Sequence, residues 1–557
     1  MRKIFTLFVA VFVLITSCTE KTNDHIINSA DCSLNEIIYT TKYDYPIELN
    51  VTNGFGGNIV FHTYEDGIGK IVFDNDVICI PAHAFYNCDT IESIIMPSNV
   101  RDIQKGAFLN CSSLKTLVIG NEIKTIAYDA FKGCTQLKEF NCKLASKDKR
   151  CLIIDGELEA ILLTDYNEHA YTIPNNVKII GNQIFRDCEY ELDLNIPDGV
   201  SIIEDDAFYN AKFSNISIGK GIKEVGKNAF RGCAGEVFIN CNIGNNWFKE
   251  SNFTHIIVAD NVTQIGDYAF DYSGVIDIDL GPNIETIGVG AFDSCRNLSS
   301  IILPDNLKSI GKEAFANCEM LCSIVIPDGV NELGEGVFRG CENLSAIQLP
   351  NNIDVIESNL FEGCKNLTSI TLPNTIKIIN SYAFKGCEKL ASIQLPSSVL
   401  RLGNGVFYEC KSLSDVTLSS INEISDYLFY DCVKLQNITL PNCTGKIGDM
   451  AFYGCKNLTK IIIPDLTTDI GCQAFFYSGL QHVTLGKSVQ YIHVEAFVAC
   501  FGIQTVYCKA TTPPSIEESY LFDVKPTIYV PSQSVNRYKT ANGWKIYASC
   551  IQGYDFE

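Results

Sequence analysis

Isoleucine, leucine and phenylalanine return along this chain at a fixed interval. The stretch from Ile287 to Ile310, IGVGAFDSCRNLSSIILPDNLKSI, holds one whole unit, and IGKEAFANCEMLCSIVIPDGVNEL, Ile310 to Leu333, starts the next at once. The unit reads I-G-x-x-A-F-x-x-C-x-x-L-x-S-I-x-L-P-x-x-V-x-x. Its phenylalanine slot is filled at 85, 108, 131, 185, 208, 230, 248, 270, 292, 315, 338, 361, 384, 407, 429, 452, 475 and 497, which makes 18 copies. Most intervals are 22 or 23 residues; the exceptions are 54 (131 to 185) and 18 (230 to 248). A fixed period in the twenties predicts a solenoid, because one unit cannot bury its own apolar face while stacked units bury each other's.

Inside a unit the pattern changes period. Leu298, Ile301 and Leu303 are predicted inward, alternating with Ser300 and Ile302, as in a strand. Pro304 ends that strand because it cannot donate to a ladder, and Asp305-Asn306 makes a turn. Leu307 and Ile310 face inward on a second short segment, and Gly311 permits the next bend. Ala314-Phe315 then forms a tight, helical turn that drives the ring into the core. Alanine precedes the ring in 12 of the 18 copies, so that slot is crowded, although Trp247, Leu360 and Leu428 break the rule. The expected fold is a mainly β solenoid of about 18 copies of 22–23 residues, with parallel β-sheet, short helical turns and capped ends. Stacking at about 4.8 Å per copy makes a rod or arc of roughly 85 Å.

The repeats fill residues 76–508. Before them, residues 32–75 alternate apolar and polar positions around Asn53-Gly54 and Asp66-Gly67, a β cap that closes the first end of the array. Phe140 to Ile173 lengthens one unit and carries a hairpin signal at Asp155-Gly156; Gly235 to Phe253 shortens another. Both are expected to bulge from the array or bend it. Residues 509–557 form the far cap, in which SVNRYKTANGW makes a short polar helix with Tyr538 and Trp544 packed inward.

The first residues tell a separate story. A basic Met1-Arg2-Lys3 precedes an apolar run, Ile4 to Ile15, too short to span a bilayer and fit for a secretory signal. It ends in Leu14-Ile15-Thr16-Ser17-Cys18, which resembles a bacterial lipobox. The resemblance implies cleavage of residues 1–17, acylation of Cys18 and a polar tether over 18–31, hence an outer-membrane lipoprotein exposed on the cell surface. More than one acyl chain makes such anchoring stable.

Formal net charge is −22, or 41 − 65 = −24 once Arg2 and Lys3 are removed. Such a surface repels phosphate backbones, so nucleic acid is not an expected partner. It also keeps a long apolar array soluble.

Fourteen of the 25 cysteines lie three residues after the anchor ring, and the other four copies carry Ala211, Ser251, Ser273 and Ser478 there. A slot that accepts Cys, Ala or Ser wants a small buried side chain, and stacked equivalents point the same way, so free thiols are expected. Local metal-ligand spacing is lacking: Cys318 and Cys322 come closest but straddle a strand boundary, and the seven histidines are scattered. No metal or cofactor is expected. Ser112-Ser113-Leu114-Lys115 matches S-x-x-K by coincidence inside a repeat, and Asp277-Ile278-Asp279 and Asp74-Asn75-Asp76 do not continue into calcium loops. The chain is not expected to be an enzyme.

With these residues in view, the chain resembles the BspA-type leucine-rich repeat proteins over residues 32–557. The likeness rests on A-F-x-x-C-x-x-L-x-x-I-x-L-P-x-x-V at this spacing, and on the exits Cys508 to Pro514 and Ile528 to Pro531. It implies a curved solenoid exported to the bacterial surface, adhesion to host matrix proteins or other bacteria, and no shared catalytic residues. The candidate ligand-binding stripe is the outward strand face, with Ser300, Ser323, Gln348, Thr371, Gln394, Thr417 and Thr439. It is small, polar and nearly uncharged, which suits an extended protein, a glycan, or simply water. The alternative role, a glycan-binding surface accessory of a nutrient-uptake system, calls for clustered exposed aromatics, which this stripe lacks.

Overall fold

The computed structural model describes residues 32–163, 169–418, 421–517 and 520–556. The signal segment 1–17, the tether and Cys18 lie outside them. The chain divides after Ala229 into two compact units.

Each turn contributes an inward-facing Ile, Leu or Val on a strand of two residues, and these strands pair in parallel from turn to turn. In the first unit Cys79–Ile80, Asp102–Ile103 and Thr125–Ile126 pair in sequence. In the second, Glu423–Ile424, Lys446–Ile447, Asp469–Ile470, Tyr491–Ile492 and Ser515–Ile516 do the same. A glycine often follows because the preceding coil lies so close: a Cβ on Gly311 would stand 2.6 Å from the carbonyl carbon of Gly288.

The segment around the anchor ring is not helical. At nearly every ring the residues two before and two after are left-handed, as at Glu313 (φ 55°) and Asn317 (φ 55°) around Phe315. Two left-handed residues so close together stop an i→i−4 ladder from propagating. The ring residue's N–H turns along the array instead: Phe292 N donates to Ala314 O at 2.8 Å and Phe315 N to Val337 O at 3.0 Å. The buried backbone is thereby satisfied by the next coil. Among the described residues the one α-helix is Val535–Thr540.

The anchor rings form the core. In the first unit Phe85, Phe108 and Phe131 stack at 5.1 and 5.6 Å between centroids, Phe140 closes on Phe131 edge-on, and Phe185 and Phe208 stack at 4.8 Å. In the second unit Phe230 meets Phe248 at a 35° tilt, and near-parallel stacks then run from Phe248 to Phe497. Burying one such ring contributes roughly 1.5–3 kcal/mol, and the stacking about 0.5–1.5 kcal/mol more.

Beside the rings runs the cysteine row. All 24 cysteines of the described residues are free thiols. Along most of the row the thiol donates to the carbonyl of the anchor phenylalanine one coil earlier: Cys341 Sγ to Phe315 O at 3.1 Å, Cys364 to Phe338 at 3.2 Å, Cys410 to Phe384 at 3.1 Å. Two of the serines in the slot join the row sideways, Ser273 Oγ with Cys295 Sγ at 3.3 Å and Ser478 Oγ with Cys500 Sγ at 3.2 Å, while Ser251 Oγ is buried without a partner. The slot therefore wants a small donor, which explains cysteine's predominance over alanine.

The N-terminal cap is antiparallel. Glu36–Thr41 lies between Ile68–Phe73 and Ile91–Ile95, and Ile59–Glu65 forms the outer edge. Tyr39 and Phe55 are fully buried beneath it. The long insertion does hold a hairpin, Cys151–Ile154 with Glu157–Ile161, turning at Asp155 (φ 50°) and Gly156 (φ 90°). It does not simply bulge: Glu157 and Leu158 pair in parallel with Ile179 and Ile180, so the hairpin takes a place in the ladder. Leu152 and Leu158, fully buried, explain why it is drawn in. In the shortened copy the strands lengthen instead, Ala234–Ile239 pairing with Asn252–Val258.

At the far end Ile516 pairs with Ile492, and Phe522 packs at a tilt on Phe497. Thr527–Pro531 and Ile551–Tyr554 extend the outer ladder. Tyr538 and Trp544 are fully buried, and each donates to a carbonyl: Tyr538 Oη to Ala510 at 2.8 Å, Trp544 Nε1 to Pro514 at 2.9 Å.

Candidate binding surface

The outward strand face of the second unit is built by alternation. Ser323–Val325 pairs in parallel with Ala346–Gln348, placing Ser323 beside Ala346 and Val325 beside Gln348, while Ile324 points inward. Ser392–Gln394 and Asp415–Thr417 repeat the arrangement. The face is therefore two rows of side chains rather than one. Ser300 and Ser323 stand in the first; Gln348, Thr371, Gln394, Thr417 and Thr439 stand in the second, and all seven are exposed. The sheet is less continuous than the repeat implies. Residues 300–302 and 369–371 alternate inward and outward without forming regular strands.

Both ends of the second row depart from the polar pattern. Ile302 is 85 % exposed and Val325 58 %, an apolar start. Beyond Thr439 the row continues through Ile462, Thr484 and Tyr507 to Tyr529. Tyr507 and Tyr529 stack at 5.0 Å, and Tyr554 meets both edge-on at 5.5 Å, with Phe556 beside it. The expected lack of aromatics thus holds from 300 to 439 and ends three coils further on. The signal was present: Tyr507 and Tyr529 occupy the same repeat position as Thr439.

A second aromatic row lies just after the anchor rings. Tyr408, Tyr430, Tyr453 and Phe476 stack at 4.4, 4.6 and 5.3 Å. Their faces are spent on one another, so only edges and hydroxyls remain for a ligand.

Several cations of this unit are paired with acids on neighbouring coils. Lys308 reaches Glu285 at 2.6 Å, Lys365 reaches Glu342 at 2.6 Å and Lys411 reaches Glu388 at 2.8 Å, each 23 residues apart. Lys411 holds the Glu388 carboxyl below its ordinary value. Exposed pairs of this kind contribute little stability, but they neutralise cations and leave the surplus negative. A shallow groove of about 560 Å³ on the second-strand face is lined by Thr286, Ser309, Asn331, Glu332 and Asp354. Among the described residues no helix is long and apolar enough to cross a membrane.

Solved structures with a similar chain path include a leucine-rich repeat protein from Bacteroides ovatus, 21 % identical, with a TM-score of 0.36, covering 72 % of this chain and 95 % of that one. A leucine-rich cell surface protein from Faecalibacterium prausnitzii is 22 % identical, with a TM-score of 0.34, covering 64 % and 92 %. The leucine-rich repeat protein of T. pallidum is 24 % identical, with a TM-score of 0.26, covering 38 % and 83 %. No curated protein matches the chain. The sequence profile of the BspA type leucine rich repeat region matches residues 57–153, 164–241, 241–368, 332–456 and 422–528. With most of its length matched in this way, the chain belongs to the BspA-type leucine-rich repeat family.

Proposed function

We propose that this chain is a lipid-anchored cell-surface protein that binds proteins or cells, in adhesion or host interaction, through the outward strand face of its second unit. The observation that carries the reading is the apolar pair Ile302 and Val325, exposed beside an uncharged row of Gln348, Thr371, Gln394 and Thr417. Charge is depleted at the centres of protein interfaces, and exposed apolar side chains rimmed by polar ones favour a protein partner. Host matrix proteins and other bacterial surfaces are the partner classes, and the chain acts as a scaffold rather than an enzyme. Anchoring rests on Cys18.

A second reading, a glycan-binding accessory of a nutrient-uptake system, draws on the Tyr507, Tyr529, Tyr554 and Phe556 cluster. Tyr554 remains 45 % exposed there, and an aromatic edge next to a polar strand face suits a sugar ring.

The two separate by experiment. Pull-down of matrix proteins by the wild-type chain, lost in Ile302→Arg/Val325→Arg and kept in Tyr529→Ala, supports the first. A glycan array bound by the wild type and lost in Tyr529→Ala, with no protein captured, supports the second and overturns the first. Protease shaving of whole cells tests surface exposure, and release of Cys18→Ala from the membrane fraction tests the anchor.

A further inference from the structure

We propose that Cys472, His493 and Glu517 form a binding site for one divalent transition-metal ion of the zinc class. The three residues come from three successive coils of the second unit. Each follows one of the paired strands Asp469–Ile470, Tyr491–Ile492 and Ser515–Ile516, whose parallel register puts Ile470, Ile492 and Ile516 side by side. One ligand atom from each residue lies within 4.8 Å of the other two.

The backbone under the site is fixed. His493 N donates to Ile470 O at 3.0 Å, Glu517 N to Ile492 O at 3.4 Å, and Cys472 N to Asp449 Oδ1 at 2.8 Å. The side chains already converge: His493 Nδ1 lies 2.9 Å from Glu517 Oε1, and its Nε2 is 3.9 Å from Asp469 Oδ1. When an ion takes His493 Nδ1, the ring proton moves to Nε2, on the side of Asp469, where a carboxylate can orient the imidazole as carboxylates do behind ligating histidines.

The residues also break the local pattern. In the two preceding coils the equivalent position carries Asp426 and Asp449, each of which accepts the next coil's backbone N–H. At Cys472 that carboxylate series gives way to a thiol, and His493 stands where the earlier coils have Gly448 and Gly471.

Thiolate, imidazole and carboxylate together suit zinc and its neighbours rather than calcium or magnesium, which take oxygen. Three protein ligands leave a fourth position for water. Binding replaces the Cys472 S–H proton, which passes to solvent, by an S–metal bond. The ion ties three coils together next to the far cap. The expectation of no metal followed from local spacing, but these ligands are 21 and 24 residues apart and only the coil period brings them together.

The test is titration of the reduced, untagged Cys18→Ser chain from residue 18 onward, which lacks the N-terminal thiol, with Co²⁺, followed by displacement with Zn²⁺. One equivalent of Co²⁺ is expected, with a thiolate-to-metal charge-transfer band. Cys472→Ser abolishes the band, while His493→Ala and Glu517→Gln each weaken binding at least tenfold. The Cys322→Ser/Cys443→Ser chain, which lacks the two exposed thiols of the described residues, retains both band and stoichiometry. Glu517 is exposed and Cys472 and His493 are only half-buried, so far-UV circular dichroism of the variants should match wild type. Failure of the wild type to bind Co²⁺ or Zn²⁺, or a band that survives Cys472→Ser, overturns the proposal.

Discussion

Phe338 stacks between Phe315 and Phe361 at 6.0 and 5.9 Å and is fully buried. Truncation leaves a gap that neighbouring rings, already held by their own coils, cannot close. Phe338→Ala should therefore cost about 3–5 kcal/mol, read from urea denaturation of the second unit. Glu159 carries a different liability. Burial, with Glu157 adding to it, pushes its carboxyl up to about 7, against the single opposing bond from Ile126 N at 3.4 Å. The native state thus holds a proton that the unfolded chain has released. Stability is greatest below the carboxyl's ordinary range and falls as pH rises through about 7. Glu159→Gln removes that dependence: its melting temperature should exceed wild type by about 2–4 °C at pH 8, and the difference should vanish in acid. Both side chains were legible to different degrees. The ring is fixed by its repeat position, whereas the burial of Glu159 depends on where the hairpin docks.

At the scale of one coil, the left-handed pair around nearly every anchor ring replaces the helix that the sequence suggests. Asparagine, aspartate and glycine are frequent there because they tolerate positive φ. Glu409, Tyr477 and Ala499 hold the same conformation without that tolerance, at φ 56°, 56° and 60°, which hid the rule from the sequence. Gly363 (φ 75°) offers a clean test, since an added Cβ would approach nothing closer than 3.6 Å. Gly363→Ala should destabilise by about 1–2 kcal/mol through backbone strain alone, and Ala499→Gly should stabilise, both measured by thermal melts. The strands themselves were readable from alternation, and the thiol row from its spacing. Its hydrogen bonds to the phenylalanine carbonyls were not, because cysteine in a small slot looks the same with or without an acceptor.

Over the whole molecule, period arithmetic explains both what could be read and what could not. Repeats of 22 or 23 residues named the core rings, the buried thiols and the outward rows. Features made by neighbouring coils escaped a reading confined to short windows: the tyrosine cluster at 507 and 529, and the convergence of Cys472, His493 and Glu517. A thiol census checks the assembled picture. Burial pushes up the row thiols of the second unit, Cys341 to about 12, and protonated buried thiols react slowly. Among the described cysteines, mass spectrometry of the native chain after brief alkylation should find Cys322 and Cys443 labelled first, both exposed, and the buried row of the second unit labelled only after unfolding. The seam in which Phe292 N reaches Ala314 O and Phe315 N reaches Val337 O has a mechanical corollary. Each coil is fastened chiefly to its immediate neighbours, so tension applied through the two ends should peel coils off singly. Every release pays out about 75–80 Å of slack, turning a sharp tug into a series of small yields.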